Sequence, residues 1–230
     1  MRILIALGTR PEIIKLGPVY RALREAGAHV DVFWSGQHLD LADGLLDLFE
    51  IRPAHSGIGV MREPSLAGKF ALITQQMQTL LGPGHYDCVV VQGDTVTAAA
   101  GAVAAFLNHV PVAHVEAGLR TGTLDSPWPE EFNRRLITIA STLHFAPTER
   151  SRDNLLREGV RSDRISVVGN TAVDALLCAR TRLAGGYIPI DRDIANLPRD
   201  RKLVLATLHR RENIGTPPER HPRSAARTGK

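Results

Sequence analysis

Carboxylates and cations recur in this sequence at one kind of place, directly after a short apolar run. Glu116 follows Val112–Val115 and precedes Ala117-Gly118. Asp94 follows the run 87–91 and Gln92-Gly93, and His209-Arg210-Arg211-Glu212-Asn213 follows 202–208. Gly8-Thr9-Arg10-Pro11-Glu12, with Lys15 one turn further on, follows Ile3–Leu7. Apolar runs of this length read as buried strands. In open α/β sheets, ligands bind beyond the carboxyl ends of strands, so charges collected there are candidates for chemistry. Carboxylates can carry protons to and from a substrate. An arginine and a lysine beside a glycine turn and a helix N-terminus can hold an anion.

Each residue taken singly has a plainer reading. Asp94 can cap the helix that follows it, a position Asp favours. Glu116 can be a solvated charge at a strand end, His209 a surface histidine, and Arg10 and Lys15 solvated helix charges. Glu130 and Arg134, like Glu131 and Arg135, stand four residues apart on one helix face and read as surface ion pairs worth about 0.2–0.5 kcal/mol each. Co-location favours the sharper reading, because the clusters are expected to converge on one rim of one sheet, apart from His209, which belongs to the next layer. The first cluster has a single glycine, so it is not the dinucleotide fingerprint and no nicotinamide or flavin cofactor is inferred.

The elements that must position these residues alternate along the chain. Strands are expected at Ile3–Leu7, His29–Trp34, 87–91, Val112–Val115, Leu143–Ala146, 165–168 and 202–208. Helices are expected from Pro11 to Ala26, from about 40 to 49, 66 to 81, through the alanine-rich segment to Asn108, from Glu130 to Ser141, to about Glu158, and to about Arg182. Residues 51–65 and 185–201, rich in Pro and Gly or in Asp and Arg, read as loops. This order predicts parallel strands joined by crossover helices, hence a doubly wound, Rossmann-like α/β sheet.

At 230 residues the chain is long enough for one large core, or for one domain and part of another. Of the net charge of +4, Arg220, Arg223, Arg227 and Lys230 against Glu219 supply three charges, so the basicity belongs to the last 15 residues and no nucleic-acid partner is inferred. Two cysteines, Cys88 and Cys178, lie far apart without a CxxC or Cys/His cluster. That pattern predicts neither a disulfide framework nor a metal site, and fits a reducing cytoplasm. The apolar segment Ala98–Leu107 is about half a membrane span, so no membrane segment is expected.

Seven motifs stand in matching order: Gly8-Thr9-Arg10-Pro11-Glu12, Gly36-Gln37-His38, Gly93-Asp94-Thr95, His114 to Arg120, Ser126-Pro127-Trp128-Pro129-Glu130-Glu131, Gly169-Asn170-Thr171 and His209 to Asn213. In these the chain closely resembles the non-hydrolysing UDP-N-acetylglucosamine 2-epimerases of bacteria, over about residues 1–215. The resemblance implies a glycosyltransferase-B-like fold. On that basis residues 1–169 form the N-terminal domain, 170–215 begin a second, nucleotide-binding domain, and 216–230 form a disordered Pro/Arg tail. It implies interconversion of UDP-N-acetylglucosamine and UDP-N-acetylmannosamine by anti elimination of UDP and re-addition through 2-acetamidoglucal, with no cofactor, in a homodimer serving polysaccharide biosynthesis.

By the same resemblance Asp94, Glu116 and Glu130 match catalytic carboxylates. Arg10, Lys15, Arg134 and His209 match contacts to the nucleotide, with His209 also near the chemistry. Gln37 and His38 match a regulatory second substrate site. The departure lies at the C-terminal end: the family pattern stops near Gly215, before the domain that supplies most uridine contacts, and the tail reads as unrelated sequence of the kind a frameshift produces. Turnover is therefore in doubt. The alternatives are a non-catalytic nucleotide-sugar-binding fragment and a hydrolysing relative that releases UDP and N-acetylmannosamine.

Overall fold

The computed structural model describes residues 1–36, 43–198 and 200–204. Gln37, His38, His209 and the tail 216–230 lie outside the described residues, as does most of the expected strand 202–208; its first three residues, 202–204, are irregular.

Seven parallel strands form one sheet: β1 (Arg2–Leu7), β2 (His29–Trp34), β3 (His55–Ser56), β4 (Cys88–Gln92), β5 (Val112–Val115), β6 (Leu143–Ala146) and β7 (Ile165–Val167). Their order across the sheet is β3-β2-β1-β4-β5-β6-β7. The chain walks outward from β1 to β3, then returns to place β4 on the other side of β1. The crossovers above and below diverge at that point, leaving a crevice at the carboxyl ends of β1 and β4.

Side chains of a strand alternate between faces, and a parallel sheet buries both. Accordingly Ile3, Ile5 and Leu7 of β1 enter one core, with Ile13, Leu16 and Tyr20 of α1 (Arg10–Glu25), Phe49 beyond α2 (Asp43–Leu48), and Ala175 of α7 (Thr171–Ala184). Leu4 and Ala6 enter the other, with Ile73 and Met77 of α3 (Leu66–Leu80), the alanines of α4 (Val96–Leu107), and Ile137 of α5 (Glu130–Ala140). Small residues let α4 approach closely: a Cβ on Gly101 would lie 3.1 Å from Met77 Sδ and 3.3 Å from the Ala6 Cβ. Helices α6 (Glu149–Arg157) and α8 (Arg192–Ala195) complete the set among the described residues. No helix among them is long and apolar enough to cross a membrane.

Several expectations need amending. The segment 51–65 is not wholly a loop: β3 pairs with β2, Val60–Arg62 form a 3-10 turn, and Ile51 and Val60 are buried, which anchors the segment to the core. Within 185–201, Arg192–Ala195 form the single turn α8. Helix α7 lies against α1, Ala175 sits in the core beneath it, and the compact unit runs from Met1 to Ala195.

The packing of α1 against the end of α2 gives a direct test. A Cβ on Gly17 would lie 2.4–2.6 Å from the Phe49 ring, which is itself fully buried. Overpacking of this kind costs about 1–3 kcal/mol, which exceeds the gain of about 1 kcal/mol from replacing a helical glycine by alanine. Gly17→Ala is therefore expected to lower the urea midpoint; an unchanged or raised midpoint would show that the ring shifts aside without cost.

Candidate active site

The site is built where β4 and β5 end beside the start of α1. Glu116, the first residue after β5, adopts a left-handed backbone conformation with φ +65°, which is uncommon for a residue with a side chain and costs about 1–3 kcal/mol. Hydrogen bonds on both sides hold it there. Gly93 N–H donates to Val115 O at 3.0 Å, and Ala117 N–H donates to Phe145 O at 3.0 Å. The glycine is required at the next turn, since Gly118 has φ +85° and a Cβ there would lie 2.2 Å from Ser151 O.

The turn presents the Glu116 carboxylate to donors from three other segments. Lys15 Nζ of α1 lies 2.6 Å from both Oε1 and Oε2. Gln92 Nε2 of β4 donates to Oε2 at 2.6 Å, and Asn170 Nδ2 donates to Oε1 at 3.3 Å. Asn170 also caps α7, its Oδ1 accepting from Ala172 N–H at 2.9 Å. The charges of Lys15 and Glu116 are thus largely withdrawn from water, with side chains 23% and 11% exposed.

Asp94 does not cap the following helix. Thr95 does, its Oγ1 accepting from Ala98 N–H at 3.0 Å. Asp94 instead forms an ion pair with Arg134 of α5, and its carbonyl accepts from Asn133 Nδ2 at 2.8 Å. Burial pushes the Asp94 carboxyl up; Arg134 opposes this, while the charges of Glu130 and Glu116 add to it. The three carboxylates are therefore near neighbours. Glu130 Oε2 is buried without a hydrogen-bond partner among the described residues, an arrangement that leaves an acceptor available to a ligand.

The expected ion pair Glu130–Arg134 is not formed. Arg134 divides its guanidinium between Asp94 and Glu131, the latter at 3.2 Å. The pair Glu131–Arg135 is present at 3.2 Å but is no surface contact, because Glu131 is fully buried. Its Oε2 also accepts from Thr121 N–H at 3.1 Å, which fastens the loop before α5. Burial pushes the Glu131 carboxyl up, but the Thr121 amide and the two arginines outweigh it and hold the group below the usual carboxylate range.

Arg10 is exposed at the start of α1 and makes no hydrogen bond or ion pair among the described residues. Gly8 beside it admits no side chain: a Cβ would lie 2.1 Å from Thr97 Oγ1 and 2.4 Å from Ser35 Oγ. Behind this turn Glu12 is fully buried; its Oε2 accepts from Gly8 N–H at 3.0 Å and from Thr9 Oγ1 at 2.8 Å, and its Oε1 accepts from Thr95 Oγ1 at 2.6 Å. Burial raises its carboxyl to about 7. No group of three or more metal-ligating side chains occurs among the described residues.

Of the residues expected at the site, the structure brings together Lys15, Asp94, Glu116, Glu130 and Arg134, with Arg10 on the adjoining turn. Glu12, Gln92, Glu131, Asn133 and Asn170 were not assigned roles from sequence. Only Glu12 carries a local signal, the Thr-x-x-Glu spacing of a helix start. The others become visible only once strands distant in sequence are neighbours.

The sequence profile of the UDP-N-acetylglucosamine 2-epimerases matches residues 21–227. The chain belongs to that family. It is 42% identical over 219 residues to the UDP-N-acetylglucosamine 2-epimerase of Neisseria meningitidis, covering 94% of this chain and 59% of that protein. A crystal structure of the N. meningitidis epimerase bound to UDP-N-acetylglucosamine superposes with a TM-score of 0.76 at 43% identity, covering 80% of this chain and 50% of the other. The S. aureus MnaA–UDP co-structure gives a TM-score of 0.78 at 39% identity, covering 93% and 55%. The chain thus spans a little over half the length of the relatives it matches, and its sheet is that of glycosyltransferase-B-like epimerases. The epimerase match continues past Gly215 to residue 227, into the segment expected to be unrelated to the family.

Behind the site, His114 of β5 is fully buried and its Nε2 lies 2.8 Å from Gly93 O. A carbonyl only accepts, so Nε2 carries the proton and the imidazole is neutral. Burial lowers its pKa to about 3. A histidine depressed from 6.5 to about 3 contributes stability that is present above 6.5 and is lost as pH falls toward 3. Glu12, raised from 4.5 to about 7, acts in the opposite sense, contributing stability below 4.5 that is lost as pH rises through 7. The expected outcome is that His114→Gln, which retains an N–H donor, loses about 2 kcal/mol less than the parent chain between pH 6.5 and 4.5 in urea unfolding. Equal losses in both chains would show that this imidazole does not limit acid stability.

Proposed function

We propose that the protein interconverts UDP-N-acetylglucosamine and UDP-N-acetylmannosamine. The observation that carries this reading is the gathering of Asp94, Glu116 and Glu130 beside Lys15 and Arg134 at the ends of β4 and β5. Membership of the epimerase family and the relatives solved with UDP-N-acetylglucosamine or UDP support it.

The C2 proton of the sugar is not adjacent to a carbonyl, so simple abstraction would be slow. In this reading a carboxylate takes the C2 proton, the C2–H electron pair becomes the C1=C2 double bond, and the C1–O pair leaves with UDP. The resulting 2-acetamidoglucal then receives UDP oxygen at C1 and a proton on the opposite face of C2. Carboxylates close to one another suit both proton steps and an oxocarbenium-like centre. By motif resemblance Arg10, Lys15, Arg134 and His209 are assigned to the nucleotide or its phosphates, and His209 to catalysis as well. The exposed Arg10 and the α1 N-terminus favour this assignment, since both attract a multiply charged anion. Lys15, now paired with Glu116, would be shared with the leaving diphosphate. The regulatory role of Gln37 and His38 rests on motif resemblance alone.

The wider setting belongs to the same proposal: a cytoplasmic enzyme of polysaccharide biosynthesis that works as a homodimer. The free thiols Cys88 and Cys178 favour a reducing compartment. Phe106 and Leu107 on α4 and Phe132 and Ile139 on α5, all exposed, leave apolar surface for a second subunit. A second reading is a nucleotide-sugar-binding unit without turnover, for which the exposed Arg10 at the α1 N-terminus would suffice.

Incubation with UDP-N-acetylglucosamine in deuterated water distinguishes these readings. Epimerisation is expected to place deuterium at C2 and yield the manno epimer still joined to UDP. Asp94→Asn, Glu116→Gln and Glu130→Gln should each lower that exchange at least about 100-fold. Parental rates in all three would remove the assigned roles. Saturable UDP binding without exchange would support the binding unit, and release of UDP with free N-acetylmannosamine a hydrolysing enzyme.

A further inference from the structure

We infer that Glu12 is a positioning residue for the nucleotide site, strapping the turn after β1 to the turn after β4 across the crevice between those strands. The inference rests on the nucleotide-sugar reading for what the strapped turns hold, but the strap itself stands on geometry alone.

A glutamate three residues into a helix ordinarily serves its own helix start. Glu12 does part of that work, accepting from Gly8 N–H and Thr9 Oγ1. Its other oxygen accepts from Thr95 Oγ1 at 2.6 Å, a contact spanning 83 residues. Thr95 stands directly after Asp94 and caps α4, whereas Gly8 and Thr9 stand directly before Arg10. The carboxyl thus fixes, from behind and out of water, the spacing between the backbone that carries Arg10 and the backbone that carries Asp94.

Its hydrogen-bonding partners are all neutral. The charged groups on the surrounding segments are engaged elsewhere or exposed: Lys15 of α1 with Glu116 after β5, Asp94 with Arg134 of α5, and Arg10 toward solvent. Without a cationic partner, burial dominates and the carboxyl titrates near 7. The two protonation states bind the turns differently. The carboxylate accepts from both threonine hydroxyls, whereas the acid keeps Gly8 and Thr9 on one oxygen and donates from the other to Thr95. Glutamine reproduces the acid's pattern of one acceptor and one donor.

Two measurements on the 230-residue chain test the strap separately from the nucleotide reading. In nitrogen-15 spectra without ligand, the Gly8 and Thr95 amide resonances are expected to follow one common titration centred near neutrality, and both to stop titrating in Glu12→Gln. Resonances that titrate independently, or that still titrate together in the variant, overturn the strap whether or not UDP binds. By calorimetry with UDP, Glu12→Ala is expected to bind about tenfold more weakly, in keeping with loss of a buried acceptor. Glu12→Gln should stay within about threefold of the parent at pH 6 and diverge from it between pH 6 and 8, a contrast a merely structural residue would not give. A folded Glu12→Ala with parental affinity overturns the positioning role. If Glu12→Ala does not fold, the pH contrast in Glu12→Gln decides the same point. Failure of the parent chain to bind UDP overturns the nucleotide reading and leaves the strap to the resonances.

Discussion

The backbone of Glu116 is held in a left-handed conformation by its neighbours on both sides, and the rest of the site depends on that constraint. Gly93 N–H takes Val115 O and Ala117 N–H takes Phe145 O, so β4 and β6 clamp the residue between them. Only then does the carboxylate turn back over β4 to meet Lys15, Gln92 and Asn170. The strain is local, whereas the restraint comes from the whole central part of the sheet. Active sites commonly keep unfavourable backbone geometry where surrounding structure over-determines it.

A second constraint is the burial of charge without full neutralisation. Glu116 pairs with Lys15 and Asp94 with Arg134, part of which is drawn away to Glu131, while Glu130 keeps a buried oxygen without a partner among the described residues. Burial raises the cost of ionising Asp94, and the charges of Glu130 and Glu116 add to it against the opposing Arg134. A carboxylate in that condition accepts a proton more readily than one in water, as proton transfer to and from carbon requires. An incoming diphosphate has two features to approach, the N-terminus of α1 and the exposed Arg10.

Glu130 and Glu131 illustrate a division of labour between neighbouring residues. Glu130 and Glu131 are adjacent on one helix turn and chemically identical, yet one keeps an unpartnered buried oxygen and the other is saturated by Thr121, Arg134 and Arg135. The helix turn directs them about 100° apart, so Glu131 meets the loop at Thr121 while Glu130 acts on Asp94 by charge alone. Identity of residue type says nothing about which is which.

The sequence by itself determined the sheet class, most of the element boundaries among the described residues and the carboxyl-end position of the clusters at Arg10, Asp94 and Glu116. It could do so because strand and helix periodicity, glycine turns and proline at a helix start are local properties that compete with little else. It also carried the seven motifs that identify the family. Tertiary structure alone decided the partners. Arg134 leaves Glu130 for Asp94 because β4 ends beside α5, Thr95 rather than Asp94 caps α4, and Glu12 joins two turns separated by 83 residues. Spacing along the chain cannot show which of several available donors lies nearest once distant strands pair, since that choice is made by sheet order and burial. The same cause places α7 against α1, far away in sequence, and so within the compact unit that runs from Met1 to Ala195.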